Sequence, residues 1–339
     1  MEYVLGVDGG NTKTIALLAH TDGTIVGAGR GGCGDIYGVG GAEGAFQSIG
    51  AAVSGAWQCA GGRALPLRAV SLRAASLRAA AFSLAGADWP EDFVYLRSEL
   101  AERGIAPQAV VVNDAIGALR AGSRDGTGVS VAVGTGTAIG ACNTGGRVWH
   151  VSFWLREAHG TGELSHNLLR LLTRAELGID PPTPLAKLMC EALGESSVED
   201  LLHRVTRRIG ADNSGRLLVP VLMSACDSGD ATALQLVRDF GHKLGDYVLA
   251  AARKVGLVGC DFDMVLTGGV LRGNSQCLID VITEHVRASA PGARPVRARF
   301  EPAVGALLIA LESAGVPIDD RLLANLTQTL PSPALFETG

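Results

Sequence analysis

Short apolar runs separated by glycine-containing turns open the chain. Residues 3–8, 14–19 and 24–28 are rich in apolar and β-branched side chains, and the Gly-Gly-Asn and Asp-Gly segments between them are strong turn formers. This pattern predicts three antiparallel strands in a meander. A glycine-rich loop follows, and the alanine-rich stretch 42–60 then predicts a helix.

The chain next alternates between extended and helical patterns. Residues 81–85 and 109–112 are apolar runs typical of buried strands, and Pro90 opens a predicted helix that ends near Arg103. The segment 67–80 repeats Leu-Arg-Ala three times, and this repeat fits either a helix or an extended strand.

The second half of the chain begins as the first does, with strands on either side of a glycine turn. The predicted strands are 128–133, 138–143, 147–153 and 262–266, and the predicted helices lie within 164–256, 274–288 and 303–314. A polar, proline-containing tail follows the last helix. Two meanders in one chain indicate a duplicated β-β-β unit.

Length and composition narrow the class of protein. A chain of 339 residues, 47% hydrophobic and 19% charged, can fold as two α/β lobes. The net charge of −5 and the scattered Lys and Arg argue against a nucleic-acid partner. The seven cysteines lie far apart, and neither a secretion signal nor a run of ~20 apolar residues is evident. We therefore expect a cytoplasmic protein that does not contact a membrane.

The turn after the first predicted strand carries candidate nucleotide chemistry. Glycine N–H groups can approach phosphate oxygens closely, and a strand-ending carboxylate can hold hydrated Mg²⁺. The candidate phosphate-binding residues are Gly9, Gly10, Asn11, Thr12 and Lys13, with Asp8 as the candidate metal ligand. The alternative is an ordinary β-hairpin closed by a Gly-Gly turn.

Two further glycine turns repeat this logic. Gly134, Thr135, Gly136 and Thr137 follow the first strand of the second meander and add two hydroxyls for phosphate. Gly268, Gly269 and Val270 follow strand 262–266 and could let a nucleoside lie against backbone. Taken singly, these are also compatible with a plain hairpin and a plain strand-to-helix connection.

The three turns, in this order, resemble the phosphate-one, phosphate-two and adenosine motifs of the superfamily that contains actin, sugar kinases and heat-shock chaperones. Segments 83–88, 112–115 and 266–270 make the chain similar to the N-acetylglucosamine kinase family and the benzoyl-CoA reductase type of ATPase. The resemblance covers about residues 4–311. It implies an α/β fold of two actin-like (ribonuclease H-like) lobes around an interdomain nucleotide cleft.

The resemblance also implies boundaries and an activity. The first lobe would span 1–116, the second 117–310 and a tail 311–339. The implied reaction is ATP- and Mg²⁺-dependent phosphorylation of a sugar hydroxyl, most simply on N-acetylglucosamine or a related hexose, by a homodimer. Asp114 matches the catalytic aspartate that accepts the hydroxyl proton. The alternative for Asn113-Asp114 is an N-cap of the following helix.

The sugar pocket matches the family only in part. Asp35 stands where the kinases have an asparagine, and Tyr37 lies near an aromatic position. The remaining candidate sugar contacts are Asn113, Thr135, Gly136, Trp154 and Glu163. Segment 152–165 departs from the family pattern, so Trp154 could equally be a core aromatic and Glu163 a first-turn helix acid.

Other interpretations remain open from the residues alone. The histidines at 150, 159 and 166 have no standard metal spacing, and Asp261-Phe262-Asp263 resembles a metal-binding D-x-D or a turn. An activator ATPase of dehydratases or reductases would need paired cluster-binding cysteines, whereas the phosphate-two region has only Cys142. A nucleotide-binding sensor without kinase activity is the third possibility.

Overall fold

The computed structural model describes residues 2–61, 77–106, 108–209 and 214–337. The predicted Leu-Arg-Ala repeat lies outside the described residues except for 77–80, which begin a strand. The chain forms two compact units, one of Met1–Thr127 with Ala298–Gly339 and one of Gly128–Arg297. Each unit is built around its own sheet.

The sheet of the first unit has the strand order β3-β2-β1-β4-β5. Its strands are β1 Tyr3–Gly9, β2 Thr14–His20, β3 Ile25–Gly31, β4 Leu77–Leu84 and β5 Ala109–Asn113. The first three strands pair antiparallel, as the turn chemistry predicts, and β4 and β5 join β1 in parallel. The helices are α1 Gly41–Cys59, α2 Pro90–Glu102 and α3 Asp114–Gly122, followed near the C-terminus by α11 Pro302–Ser313 and α12 Asp320–Gln328.

The sheet of the second unit repeats this order as β8-β7-β6-β9-β10. Its strands are β6 Gly128–Val133, β7 Thr137–Cys142, β8 Val148–His150, β9 Phe262–Thr267 and β10 Ala293–Arg297. Again a meander is followed by two parallel strands. The repeated topology confirms the predicted fold class of two actin-like α/β lobes.

The second unit has seven helices among the described residues, five between β8 and β9 in chain order and two between β9 and β10. They are α4 Thr161–Glu176, α5 Pro184–Leu193, α6 Val198–Arg204, α7 Ser214–Asp227, α8 Ala231–Val255, α9 Gly268–Arg272 and α10 Cys277–Ser289. Among the described residues no single helix is both long and apolar enough to cross a membrane, and α7 with α8 pass that test only as a pair bent by 111°.

Helices cover both faces of the first sheet. Alternate residues of β2 point to α1 on one side and to α11 on the other, which is why nearly the whole strand is apolar and buried. Helix α11 packs closely against α3 because position 305 is a glycine. A side chain at this position would overlap the backbone carbonyl of Gly117 in α3. Helix α11 thus belongs to the first unit, whereas the predicted boundaries at 116 and 310 follow chain order.

Two elements differ from the sequence-based expectation. The predicted tail contains α12, whose Leu322 and Leu326 are buried against the first unit, and Asp319 caps its N-terminus. Strand β10 was not predicted, because Pro295 and its flanking arginines are unusual in a strand. An edge position explains this, since an edge strand tolerates proline and charge.

Candidate functional site

The carboxyl ends of β1, β4 and β5 meet at one edge of the first sheet. Gly9 lies opposite Leu84, and Leu84 lies opposite Asn113. Residues that follow these strands are therefore neighbours, although they are far apart in sequence. The negative charge of Asp114 repels that of Asp8 there, and the negative charges of Asp88 and Asp35 also act on Asp114. We call these four carboxylates, Asp8, Asp35, Asp88 and Asp114, the acidic edge.

The first glycine turn is held by backbone hydrogen bonds. The N–H of Gly10 donates to the carbonyl of Lys13 at 2.9 Å, and the N–H of Ala85 donates to the carbonyl of Gly9 at 2.8 Å. A side chain at position 9 would lie 2.6 Å from a methyl group of Leu84. The glycine at position 9 thus lets the turn pack directly on β4, and the Gly10 N–H is already used within the turn.

The side chains of this turn have distinct surroundings. Asn11 and Thr12 are exposed, and Asn11 hydrogen-bonds the carboxylate of Asp35. Lys13 donates to the backbone carbonyl of Phe336 and also acts electrostatically on Asp8. The turn therefore places a cation beside the acidic edge. Contact of any of these residues with phosphate stays a prediction.

Asp8 is partly buried, and its ionisation is costly there. Burial raises its pKa to about 7, the negative charges of Asp114 and Glu301 contribute in the same direction, and the ammonium group of Lys13 opposes them. A divalent cation at this position would offset the repulsion between the carboxylates. Mg²⁺ commonly keeps several water ligands and binds through one or two carboxylates. The acidic edge therefore fits such an ion.

Asn113 and Asp114 divide two roles that the sequence left as alternatives. Asn113 is the N-cap of α3, because its Oδ1 accepts the N–H of Ala115 at 3.1 Å. Asp114 is the first residue of the helix. The pKa of Asp114 is raised to about 7, mainly by burial and also by the negative charges of Asp88 and Asp35, while the N–H of Ala115 lowers it. A carboxylate with such a pKa is suited to accept a proton near neutral pH.

The side-chain amide of Asn113 forms hydrogen bonds within the protein. Its Nδ2 donates to the carbonyl of Ala87 at 3.2 Å and to Oδ1 of Asp88 at 3.1 Å. This buried side chain thereby joins the end of β5 to the segment after β4. Sequence reasoning did not assign roles to Asp88 and Glu301. Asp88 could have been found by the rule that singled out Asp114, since it also follows a parallel strand.

The loop after β3 brings Asp35 and Tyr37 to the same edge. Asp35 is buried, which raises its pKa, while the N–H of Tyr37 donates to its Oδ1 at 2.9 Å and opposes that shift. The hydroxyl of Tyr37 donates to Asp92 at 2.8 Å, yet the residue stays 51% exposed. Gly86 leaves room for this carboxylate, because a side chain there would lie 2.7 Å from Asp35.

The second glycine turn is supported by the start of α4. Gly134 N–H donates to the carbonyl of Gly136 at 2.9 Å, and Thr161 N–H donates to the carbonyl of Gly134 at 2.9 Å. Gly160 has φ +75°, and a side chain there would lie 2.6 Å from both turn carbonyls. Sequence reasoning missed Gly160, although a glycine before a helix was the available signal.

The two threonines of this turn differ in exposure. Thr135 is exposed, as is Gly136. The hydroxyl of Thr137 donates to the carbonyl of Ala158 at 2.5 Å, so Thr137 ties the turn to the loop before α4. Thr135 and the exposed backbone at Gly136 are thus the open part of the predicted phosphate-two turn.

The predicted turn at 267–270 is the first turn of a short helix, α9. Gly268 has φ +84°, and a side chain there would overlap the backbone of Val133 in the neighbouring strand. A side chain at Gly269 would meet nothing within 4 Å, and Val270 is half-buried. Gly268 therefore sets the backbone path, while Gly269 presents an open surface for a ligand.

Trp154 and Glu163, both in the divergent segment 152–165, lie in different environments. Trp154 is 63% exposed in a short 3₁₀ turn, so the core-aromatic interpretation is wrong, and the predicted third strand ends at His150. Glu163 lies in the first turn of α4, where it accepts the N–H of His159 at 3.0 Å and pairs with Lys243 at 3.3 Å. A groove of about 500 Å³ adjoins Glu163 and Lys243.

Metal chemistry at the histidines finds no support. Burial lowers the pKa of His150 to about 4, and its Nδ1 lies 2.5 Å from Ser152 Oγ. Within the residues described, no group of three or more His, Cys, Asp or Glu is arranged to hold a metal ion. Binding of a hydrated Mg²⁺ ion by Asp8 stays a prediction.

Comparisons with known proteins agree with this architecture. An N-acetyl-D-glucosamine kinase of Dictyostelium discoideum is 24% identical over 319 residues, which are 92% of this chain and 98% of the relative. A Chromobacterium violaceum structure provisionally named N-acetylglucosamine kinase has a TM-score of 0.63 at 23% identity, covering 91% of this chain and 99% of that one. A ROK family glucokinase from Streptomyces griseus has a TM-score of 0.56 at 20% identity, covering 91% and 99%.

At these identities the solved structures show the fold alone. The family is shown by a different comparison. The profile of the BadF/BadG/BcrA/BcrD ATPase family matches residues 5–310, which include all three glycine turns and the acidic edge. The predicted family resemblance is thereby confirmed, and the chain belongs to the BadF/BadG/BcrA/BcrD ATPase family.

Proposed function

We propose that this protein transfers the γ-phosphoryl group of ATP to a hydroxyl of a sugar, with N-acetylglucosamine or a related hexose as the substrate class. The observation that carries this proposal is the pairing of Asp8 and Asp114 at one sheet edge, beside the Gly9-Gly10 turn. Membership of an ATPase family supports the nucleotide, and the relative named N-acetyl-D-glucosamine kinase supports the acceptor.

In the proposed reaction Asp114 takes the proton of the attacking hydroxyl. Its pKa of about 7 keeps a useful fraction ionised at neutral pH while making it basic enough to accept that proton. The sugar oxygen then forms a bond to the γ-phosphorus as the bond to the β-phosphate oxygen breaks. A positioned base of this kind typically contributes ~10²–10⁴-fold.

Asp8 would hold Mg²⁺ through water, and the bound ion would neutralise charge on the β- and γ-phosphates. The turn 9–13 and the exposed residues Thr135 and Gly136 would bind the phosphates, while Gly268-Gly269 would lie under the adenosine. These turns supply mainly backbone and hydroxyl groups, which suits binding and orientation. A homodimer stays part of the proposal on family resemblance, and a cytoplasmic location stays part of it on the sequence pattern.

A second candidate is a nucleotide-binding sensor without sugar kinase activity. Asp35 occupies a position where the resembling kinases use an asparagine, and Trp154 lies exposed in a divergent segment. Both features change groups that we assigned to the sugar. The sensor would retain the nucleotide turns and lose the acceptor.

One experiment separates these candidates. ADP release by the purified protein is measured with Mg-ATP and, in turn, N-acetylglucosamine, glucosamine, N-acetylmannosamine and glucose, while calorimetry measures ATP binding. We expect ADP release that depends on one of these sugars and stops when EDTA removes the metal. ATP binding without sugar-dependent ADP favours the sensor, and a protein that binds no ATP refutes both candidates.

A further inference from the structure

The C-terminal segment Thr329–Glu337 contacts the first glycine turn. Lys13 Nζ donates to the carbonyl of Phe336, and Arg30 Nη1 donates to the carbonyl of Leu335 at 3.1 Å. These bonds join positions more than 300 residues apart in sequence. Two consecutive carbonyls at the end of the chain are thus held by two cationic side chains, one from the turn and one from β3.

Local structure explains why these carbonyls are available. Pro333–Leu335 form a single 3₁₀ turn, and the last carbonyls of a helical turn have no partner within it. Upstream, Ile25 N–H donates to Thr329 Oγ1 at 2.9 Å and Asn325 donates to the carbonyl of Asp22 at 2.9 Å. The segment is therefore anchored at its beginning and bonded to Lys13 near its end.

The end of the segment is attached weakly compared with its anchor. Ser332, Pro333, Ala334 and Glu337 are exposed, and only Leu335 and Phe336 pack partly against the hydrophobic cluster under α11 and α12. Segments with few buried contacts open at low free-energy cost. This part of the chain can leave Lys13 without unfolding the unit.

The phosphates of ATP compete for the same ammonium group. A phosphate oxygen is charged and makes a stronger hydrogen bond to an ammonium group than a neutral carbonyl does. Resting on the proposed nucleotide function, we infer that segment Thr329–Glu337 is a strap that ties Lys13 to the Phe336 carbonyl, and that this carbonyl competes with ATP phosphates for the N–H donors of Lys13. The strap is then an autoinhibitory contact that lowers affinity for the nucleotide.

Truncation after Ser332 tests this inference. The chain has only four lysines, Lys13, Lys187, Lys243 and Lys254, so limited labelling with an amine-reactive ester can be read at each one by peptide mass spectrometry. Lys187, whose side chain is 82% exposed, is the internal reference. We expect truncation to raise the labelling of Lys13 relative to Lys187 by about three- to tenfold and to lower the Kd for ATP by a similar factor.

Three controls make the outcome specific. Arg30→Gln removes one of the two cations while leaving the chain at full length, and we expect a smaller change in the same direction. Glu337→Gln alters an exposed residue of the strap and should change neither measurement. Adenosine lacks phosphates and should bind the truncated and full-length proteins equally.

The results distinguish the strap from the proposed function. If full-length protein binds ATP but the truncated protein, folded by circular dichroism, binds it no more tightly, the strap inference is wrong. Unchanged labelling of Lys13 after truncation overturns it as well. If the full-length protein binds no ATP at all, the proposed function fails first, and the competition inferred from it fails with it.

Discussion

The two sheets share one strand order but end in different chemistry. In the first unit, β1 ends at Asp8-Gly9, and the segments after β4 and β5 add Asp88 and Asp114. In the second unit the corresponding strand β6 ends at Val133 and is followed by Gly134 and Thr135, while β9 ends at Thr267. One edge therefore collects carboxylates, and its counterpart presents hydroxyls and backbone.

This difference shows how one topology can provide two kinds of site. Burial, together with the neighbouring carboxylates, raises the pKa values of Asp8 and Asp114, so this edge is suited to a cation and to proton transfer. The second edge gains its shape from Gly160 and Gly268, which allow backbone segments to touch. Such an edge offers fixed dipoles instead of titratable groups. Each edge can therefore be tested by the property that distinguishes it.

The largest effect is expected at the first edge from Asp114→Asn. The substitution preserves shape and removes the group that accepts the proton, so kcat for sugar phosphorylation should fall by about 10²–10⁴-fold. ATP affinity should change by less than about threefold, since Asp114 is assigned to the acceptor and not to the nucleotide. Steady-state kinetics and calorimetry measure the two effects.

Asp320→Asn is the matched control for Asp114→Asn. Asp320 is also an acid in the first turn of a helix, but it is exposed, so its substitution should leave kcat unchanged. If Asp114→Asn retains full turnover on a sugar that the wild-type protein phosphorylates, Asp114 is not the base, and the contrast between the two edges loses its catalytic meaning.

The second edge should be broken by Gly268→Ala. Alanine at φ +84° is strained, and its methyl group would overlap the backbone of Val133. We expect a loss of about 2–4 kcal/mol in the free energy of unfolding and weaker ATP binding. Gly269→Ala, where a methyl group meets nothing within 4 Å, should cost less than about 0.5 kcal/mol. Equal urea-denaturation midpoints for the two variants would contradict the backbone role of Gly268.

A titration effect of moderate size is expected from Asp8→Asn. The pKa of Asp8 is raised from 3.8 to about 7, so the folded state holds a proton that the unfolded chain releases. The stability contributed by this proton is complete below about pH 4 and is lost as the pH rises through about 7. In EDTA the neutral amide of the Asp8→Asn variant should therefore increase stability at pH 8 by on the order of 2 kcal/mol, and much less at pH 4.5.

Urea denaturation of both proteins at the two pH values measures this effect. Asp22→Asn is a suitable comparison, because a backbone hydrogen bond from Thr24 lowers the pKa of Asp22. The Asp22→Asn variant should therefore be less stable than wild type at pH 8, which is the opposite sign. An Asp8→Asn protein that is no more stable than wild type at pH 8 would show that the first edge carries no electrostatic strain.

Local sequence patterns were enough to locate the glycine turns and most strands. Turn formers and apolar runs act over a few residues, so β1 to β7 and β9 lie close to their predicted positions. Contacts between residues far apart in the sequence could not be predicted in this way. No local pattern indicates that Glu301 acts on Asp8, that α11 covers the first sheet, or that Phe336 bonds Lys13 across 323 positions. Such contacts depend on how separate elements pack.

The choice between Asn113 and Asp114 illustrates the same limit within two residues. Both are good N-cap residues, and a propensity argument does not say which side chain turns back to the helix. The structure assigns the cap to Asn113 and leaves the carboxylate of Asp114 among other acids. The residue at which the helix begins thus decides which of two adjacent side chains forms the N-cap.

The smallest effect is expected from Asp35→Asn, which sharpens the substrate assignment at the first edge. An ionised carboxylate only accepts hydrogen bonds and attracts an ammonium group, whereas an amide also donates to sugar oxygens. Asparagine keeps an oxygen for the N–H of Tyr37, so the loop should stay folded. We expect kcat/KM for N-acetylglucosamine, relative to that for glucosamine, to rise by about three- to tenfold, a difference of roughly 1 kcal/mol. Competition between the two sugars in one reaction measures this ratio directly, and an unchanged ratio would place Asp35 outside the sugar pocket.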